Sequence, residues 1–428
     1  MIIKHHRRAI GSVAAGLILA TGLTLTACAT NPAQPASTPS SESLASETWM
    51  TTLYDNHPDT VLGSILIPGT HDSGSYGIDV TSPCQNTLIA GAAPEIGALL
   101  RTEPCLLAGF SRAQDISIEK QLESGVRYLD IRVGVPASAV VSSKGGPIAA
   151  PADPLAVLLV THHTVVSAPL NISLDAILRF VSEHPKEQVI VDFQHFDLPK
   201  DPNVASYYSG VLDAYLRTYS PAGLPAGTTI CSKAWDSNVI QVPDSDLATK
   251  VTFRQVWEAG RNLAVLVDPA ALPANPCYRN RDAAILSQWP KTQDPTVSAT
   301  YNSSELTQRR AKLTANPPQC VGTQSVGANP DGTPKPGTAP GYWCGFFVSQ
   351  MQLSTNNKTY ASCVLVPKKT CSLFNLSTLV NNQIGTQMAQ WSRAGLPDNI
   401  AIADYFQYSQ PSIVDTMVER NRQMLPTD

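Results

Sequence analysis

The chain has no internal repeat, no Cys-x-x-Cys spacing and no excess of basic residues. The missing repeat argues against a solenoid, and 34 Pro with 26 Gly imply many loops instead of long helices. Without Cys-x-x-Cys pairs, the common zinc and thiol-redox spacings are absent. A formal net charge of −4 gives no support to a nucleic-acid binder. Hydrophobic residues make up 43% of the chain, enough for a core. Its 428 residues fit either two or three average domains or one βα barrel with insertions.

The first residues carry an export signal. Lys4, His5, His6, Arg7 and Arg8 precede an apolar run from Ala9 to Leu25, which closes in Leu25, Thr26, Ala27 and Cys28. Leu, two small residues and Cys resembles the lipobox of bacterial lipoproteins. That resemblance implies a leader at 1–27, cleavage before Cys28 and a lipid on Cys28, so the apolar run is lost rather than spanning the membrane. An ordinary signal peptide cut nearby is the alternative, and either way the protein leaves the cytoplasm. Losing residues 1–27 removes Lys4, Arg7 and Arg8 and no acid, which takes the net charge from −4 to −7. Residues 28–48 are rich in Pro, Ser and Thr and read as a flexible tether to a domain at 49–428. The expected location is the extracytoplasmic face of the cell membrane. Nine Cys minus Cys28 leaves eight, an even set in an oxidising compartment, which argues for disulfides over metal ligation. Cys84/Cys105 and Cys363/Cys371 bracket loop-like stretches and are candidate local pairs.

Short apolar, β-branched segments predict strands at Val61–Ile67, Tyr128–Val133, Leu155–Thr161, Gln188–Phe193, Leu263–Val267, Gly345–Leu353 and Ile400–Asp404. Helical spacing appears at Ile118–Gly125, Ser173–His184, Tyr208–Tyr219, Phe253–Ala259 and Gln383–Gly395. Nearly all-apolar strands alternating with helices imply a parallel sheet covered on both faces, as a βα barrel or an open doubly wound sheet. Ser82–Arg112, Ser138–Pro154 and Val321–Gly341 interrupt the pattern and read as surface insertions.

Polar residues collect where those strands end. His71 and Asp72 follow the first, Asp130 and Arg132 sit in the second, and His162 and His163 end the third. Gln194 and His195 end the fourth, and Asp404 ends the last. In parallel βα architectures these ends converge on one mouth. Two imidazoles, a guanidinium and several carboxylates make a set able to cleave a phosphodiester. One imidazole takes a proton from the attacking hydroxyl, the other protonates the leaving oxygen, and Arg grips the phosphoryl oxygens with its planar fork. Only His57, His71, His162, His163, His184 and His195 remain after the leader. His57 and His184 stand beside Pro and read as surface residues, while His162 reads as packing against or orienting its neighbour.

The runs IPGTHDSGSY (Ile67 to Tyr76) and QLESGVRYLDIR (Gln121 to Arg132), followed by His162-His163, HPKEQVIVD (His184 to Asp192) and IAIADY (Ile400 to Tyr405), resemble the X-domain motifs of bacterial phosphatidylinositol-specific phospholipase C. They occur in family order over about Trp49 to Ser409. The resemblance implies a distorted (βα) TIM-type barrel, one catalytic domain with loop insertions. It implies His71 as general base with Asp404 behind it, His163 as general acid assisted by Asp72 and Asp130, and Arg132 on the phosphate. The implied products are diacylglycerol and a cyclic inositol phosphate. Calcium-dependent relatives carry an acidic residue at the place of Arg132 and Asn at that of Asp72, so metal-independent activity with no cofactor is expected.

Two departures fall on substrate binding. The fifth-strand segment ends in Asp268 where a basic residue is expected, and Gln194-His195 replace a Lys in the fourth. Gln194, His195, Asp268 and Tyr405 are the candidate headgroup contacts. Tyr405, Phe406 and Tyr408 either stack on a ring-shaped substrate or pack. Tyr342, Trp343, Phe346 and Phe347 read as core strand ahead of a membrane-inserting patch. The expected partners are a phospholipid or glycosylated phospholipid and the membrane holding the anchor, with no nucleic acid and a monomeric chain. Two alternatives stand: the same barrel acting on a non-inositol phosphodiester, and a non-catalytic surface protein that binds lipid or glycan headgroups.

Overall fold

The computed structural model describes residues 47–82, 84–89, 102–136, 158–162, 165–199, 201–355, 363 and 371–426. The leader, Cys28, the tether up to residue 46, the 138–154 insertion and His163 lie outside the described residues.

Twelve strands can be followed: β1 (Ile67–Thr70), β2 (Tyr128–Gly134), β3 (Leu159–His162), β4 (Val165–Pro169), β5 (Val189–Asp197), β6 (Leu263–Val267), β7 (Arg279–Asn280), β8 (Ile285–Gln288), β9 (Val321–Gln324), β10 (Ala339–Tyr342), β11 (Phe346–Gln350) and β12 (Ile400–Ala403). Eight form one curled sheet in the order β7-β6-β5-β2-β1-β12-β11-β8, and every adjacent pair in it is parallel. This is the distorted βα barrel. Among the described residues β7 and β8 do not pair with each other. The barrel is therefore incomplete at that seam, which the one-turn helix Arg281–Ala284 fills.

Burial explains the apolar strands: all five residues of β6 and of β11 are buried. Helices cover the outside. In Leu170–Glu183 the buried Leu170, Leu174, Ile177, Leu178 and Val181 line one face at three- and four-residue spacing. Pro202–Thr218 starts where Asp201 accepts the amides of Asn203 and Val204 and Pro202 takes the first turn. Trp343, Phe346 and Phe347 are core residues, as the strand reading expects.

The structure corrects several boundaries. The Val61–Ile67 strand opens instead as a 3-10 turn at Leu62–Ser64. A Cβ on Gly63 would lie 2.0 Å from the Ala248 carbonyl, so the chain packs there closer than any side chain permits. The described part of Leu155–Thr161 is β3, which runs antiparallel to β2 and β4 and so forms a hairpin off the barrel. Apolar alternation marks a strand without its direction. The last long helix is Leu373–Arg393 rather than Gln383–Gly395, starting where Ser372 caps the Asn375 amide. Pro295–Thr314 shows no sequence signal because Ser298, Asn302, Glu305 and Arg309 occupy its buried face. Part of the Val321–Gly341 insertion is itself a hairpin, β9 with β10.

All eight described cysteines are paired. Cys84–Cys105 and Cys363–Cys371 bond as expected, and Cys231–Cys277 and Cys320–Cys344 complete the set.

The closed end of the barrel rests on one ion pair. Arg127, just before β2, donates from Nε and Nη2 to Glu187 Oε2 at 3.0 and 2.8 Å, and both side chains are fully buried. The second oxygen, Oε1, accepts the Thr51 amide at 2.7 Å, tying the helix Trp49–Tyr54 beneath the strands. Glu187→Ala leaves a guanidinium buried without its partner, so it costs about 3–5 kcal/mol of unfolding free energy by denaturant titration. A loss under about 1 kcal/mol would contradict this account.

Candidate active site

The C-terminal ends of β1, β2, β5 and β12 bring six side chains together. His71 follows β1 and Asp404 follows β12, which pairs with β1 in register. Tyr128, Asp130 and Arg132 lie two apart on β2 and share one face of the sheet. An irregularity in the β2–β5 ladder pairs Phe193 with Ile131 and His195 with Arg132, leaving Gln194 as the extra residue. Gln194 accepts from Arg132 Nη2 at 3.2 Å.

His71 Nδ1 lies 2.7 Å from Asp404 Oδ1, while its Nε2 lies 3.0 Å from Arg132 Nη2 and 3.3 Å from Asp72 Oδ2. A guanidinium can only donate, so its contact selects the tautomer with the hydrogen on Nδ1 and a lone pair on Nε2. Arg132 Nε lies 2.9 Å from Asp72 Oδ1 and Nη2 lies 3.3 Å from Asp130 Oδ2. His162 Nε2 meets Asp72 Oδ2 at 2.7 Å and its Nδ1 donates to the Ser111 carbonyl at 2.5 Å. The two imidazoles stand edge to face with centroids 5.2 Å apart.

Burial works to lower the His71 pKa, but Asp404 and Asp72 outweigh it and lift the imidazole above its ordinary value. Burial would raise Asp130, yet Arg132 and His71 hold it below the usual carboxylate range. Burial raises Asp404 despite its imidazole partner. Burial pushes His162 well down, and the positive charges of Arg132 and His71 add to that.

Two backbone distortions aim these groups. Asp72 and Tyr405, each one residue beyond a site residue, adopt left-handed φ of 43° and 47°. For non-glycine residues that conformation costs about 1–3 kcal/mol and persists only where neighbours enforce it. Gln114 Nε2 donates to the His71 and Ala403 carbonyls, both at 2.9 Å, and Asn381 Nδ2 donates to the Asp404 and Tyr405 carbonyls at 2.9 and 3.1 Å. Sequence reasoning missed both amides, because nothing local marks a Gln or Asn as a clamp.

A cavity of ≈ 470 Å³ opens onto His71, Arg132, His162, Gln194 and His195. Asp197, Trp289, Gln350 and Gln352 also line it, and nothing in the sequence marked them, because strand pattern alone does not show which polar side chains face the opening. Two candidates are not brought to this cavity. Asp268 accepts the Ala270 amide at 2.8 Å and stabilises a turn. Tyr405 is buried, donates to the Arg112 carbonyl at 2.7 Å and packs edge-on against Phe374, so it has no free face for a substrate ring. His162, read as a packing residue, is the histidine seated on Asp72, while His163 lies outside the described residues.

His71, Asp72 and His162 present donor atoms within 4.8 Å of one another, a spacing compatible with a cation. The Arg132 guanidinium already stands against two of the three.

No family model matches the chain. PI-PLC X domain-containing protein 3 of Mus musculus is 26% identical over 268 residues, covering 62% of this chain and 70% of its own length. The variant-surface-glycoprotein phospholipase C of Trypanosoma cruzi is 28% identical over 191 residues, covering 43% of this chain and 46% of its own. These relatives support the PI-PLC X-domain family. Among solved structures, a phosphatidylinositol-specific phospholipase C from Staphylococcus aureus covers 90% of this chain and 99% of its own, with TM-score 0.48 and 16% identity. His71, Asp72, Asp130, Arg132 and Asp404, drawn from three separate stretches of the chain, are brought together at the mouth.

Asp404→Asn removes the strongest upward influence on His71, so the imidazole should titrate lower in that variant, as read by proton–nitrogen NMR. An unchanged or higher value would contradict the pairing.

Proposed function

We propose that the chain is a phospholipase C-like phosphodiesterase that cleaves a phospholipid headgroup by acid–base catalysis between two imidazoles. The observation that carries this reading is the contact set of His71: Asp404 at Nδ1 and a donor-only guanidinium at Nε2. The ring's one lone pair is then on Nε2, held by Arg132 at the cavity wall, and it can accept a proton once Arg132 moves to the phosphate.

The attacking hydroxyl is the substrate's own, on the headgroup carbon next to the phosphate ester. As Arg132 turns to the phosphoryl oxygens, Nε2 of His71 takes the hydroxyl proton and the oxygen bonds to phosphorus. The bond to the glycerol oxygen breaks, and that oxygen must gain a proton. His162 with Asp72 supplies it. Its Nδ1 hydrogen is committed to a carbonyl, so a 2.7 Å contact between Nε2 and a carboxylate oxygen requires a second proton between them. With phosphatidylinositol the products are diacylglycerol and a cyclic inositol phosphate. The similarity to the variant-surface-glycoprotein phospholipase C of Trypanosoma cruzi supports the reaction class. Asp268 no longer counts against an inositol headgroup, because it caps a turn outside the cavity. The polar wall of Gln194, Gln350 and Gln352 suits hydroxyl-bearing headgroups.

His162 is thus our donor in place of His163, and the two separate by mutation. His71→Ala and His162→Ala should each lose about 10² or more of the rate, while His163→Ala loses far less. Phosphatidylinositol vesicles followed by phosphorus NMR give the readout, with the cyclic phosphate as diagnostic product. A reversed order for the two neighbours overturns the donor assignment, and full activity in His71→Ala overturns the function.

We also propose metal-independent activity, with Arg132 supplying the positive charge. Rates in excess chelator should match those in added calcium. A calcium requirement would sink that part. Export and anchoring through Cys28 complete the proposal, supported by the Leu25 to Cys28 motif.

A further inference from the structure

Below the mouth, inside the barrel, lies a second charged group that the mechanism above does not use. Asp192 of β5 stands beside Asp130 in the parallel ladder and is fully buried. Its Oδ2 accepts the Tyr128 hydroxyl at 2.6 Å, and its Oδ1 lies 2.7 Å from Nε of Arg281. Arg281 opens the one-turn helix at the seam between β7 and β8, the place where the barrel lacks strand pairing. To meet Asp192 its side chain passes β6 and reaches β5, because β6 lies between β5 and β7. Room for the Tyr128 ring exists because position 69 of β1 is Gly: a Cβ there would lie 2.9 Å from Tyr128 Cδ1.

We propose that Arg281 is a positioning residue: through Asp192 it holds the Asp130–Arg132 pair in place, tying across the seam what the missing strand contact does not. The inference rests on the phosphodiesterase reading for its effect on rate, and on geometry alone for its effect on Arg132. Two carboxylates abreast in a buried ladder repel unless a cation faces one of them. Arg132 faces Asp130 and Arg281 faces Asp192. Without Arg281 the uncompensated Asp192 displaces Asp130, and Arg132 loses one of the two carboxylates that orient its fork. Arg281 bonds to Asp192 and does not itself line the cavity, so its route to Arg132 runs through Asp192 and Asp130.

The test is a charge-rescue cycle on the full chain. Arg281→Met should lower kcat by about tenfold to a hundredfold with a much smaller change in KM, the scale expected when a reacting group is misplaced by a fraction of an ångström. Adding Asp192→Asn removes the orphaned charge, and the double variant should recover to within about fivefold of the parent. Independently of turnover, the Arg132 Nε–H signal in guanidinium NMR should lose protection from solvent exchange in Arg281→Met and regain it in the double variant. If Arg281→Met does not fold, Arg281→Lys carries the test. It keeps the charge and should hold both rate and protection near the parent's. A double variant as impaired as the single one, or a lysine variant with tenfold loss and an unprotected Arg132, overturns the proposal. An inactive parent would overturn the phosphodiesterase reading instead, while the Arg132 signal still decides this one.

Discussion

The site depends on keeping a guanidinium buried at the end of a barrel. Arg132 is only 12% exposed and has Asp72 and Asp130 as charged partners, while Asp404 lies one imidazole further away. A buried charge is tolerated only when it is paired and hydrogen-bonded. Three buried carboxylates exceed one guanidinium, and the excess negative charge acts on His71, which meets Asp404 and Asp72, while burial keeps His162 pushed down. The upward shift of His71 is that imbalance expressed at one ring. The protonation of each group is therefore set by the charge arrangement as a whole.

Holding that arrangement demands a scaffold whose irregularities are in the right places. The extra residue in β5 turns Gln194 toward Arg132, and left-handed Asp72 and Tyr405 bend the chain immediately after β1 and β12. The strain is fixed by the buried amides of Gln114 and Asn381, which grip the carbonyls on either side. At the opposite end, Arg127 and Glu187 secure the helix that closes the barrel floor. The same rule operates at both ends, with charge buried only where a rigid partner faces it. The seam between β7 and β8 is the weak point in the wall, and the Arg281–Asp192 bond crosses the interior from there.

The motifs of the candidate site were legible because each is local. His71-Asp72, Asp130-x-Arg132 and Asp404 are short runs at the ends of apolar strands, and in parallel architectures strand ends converge. The cavity wall was not legible. Trp289 follows β8, Gln350 ends β11 and Gln352 lies just beyond it, so their facing depends on packing, and Pro295–Thr314 buries polar residues that erase its periodicity. Tyr405 and Asp268 misled for the converse reason: each follows an apolar strand, but the chain turns both side chains away from the opening.

By itself, then, the amino-acid order determined a parallel βα architecture and which short polar motifs stand at its strand ends, because those follow from periodicity, composition and short contiguous patterns. That His162 sits on Asp72, which amides lock the backbone and which side chains line the opening were decided only by the tertiary structure. They depend on contacts between segments as much as 333 positions apart, such as His71 with Asp404, and direction and distance in space are not encoded in any one segment.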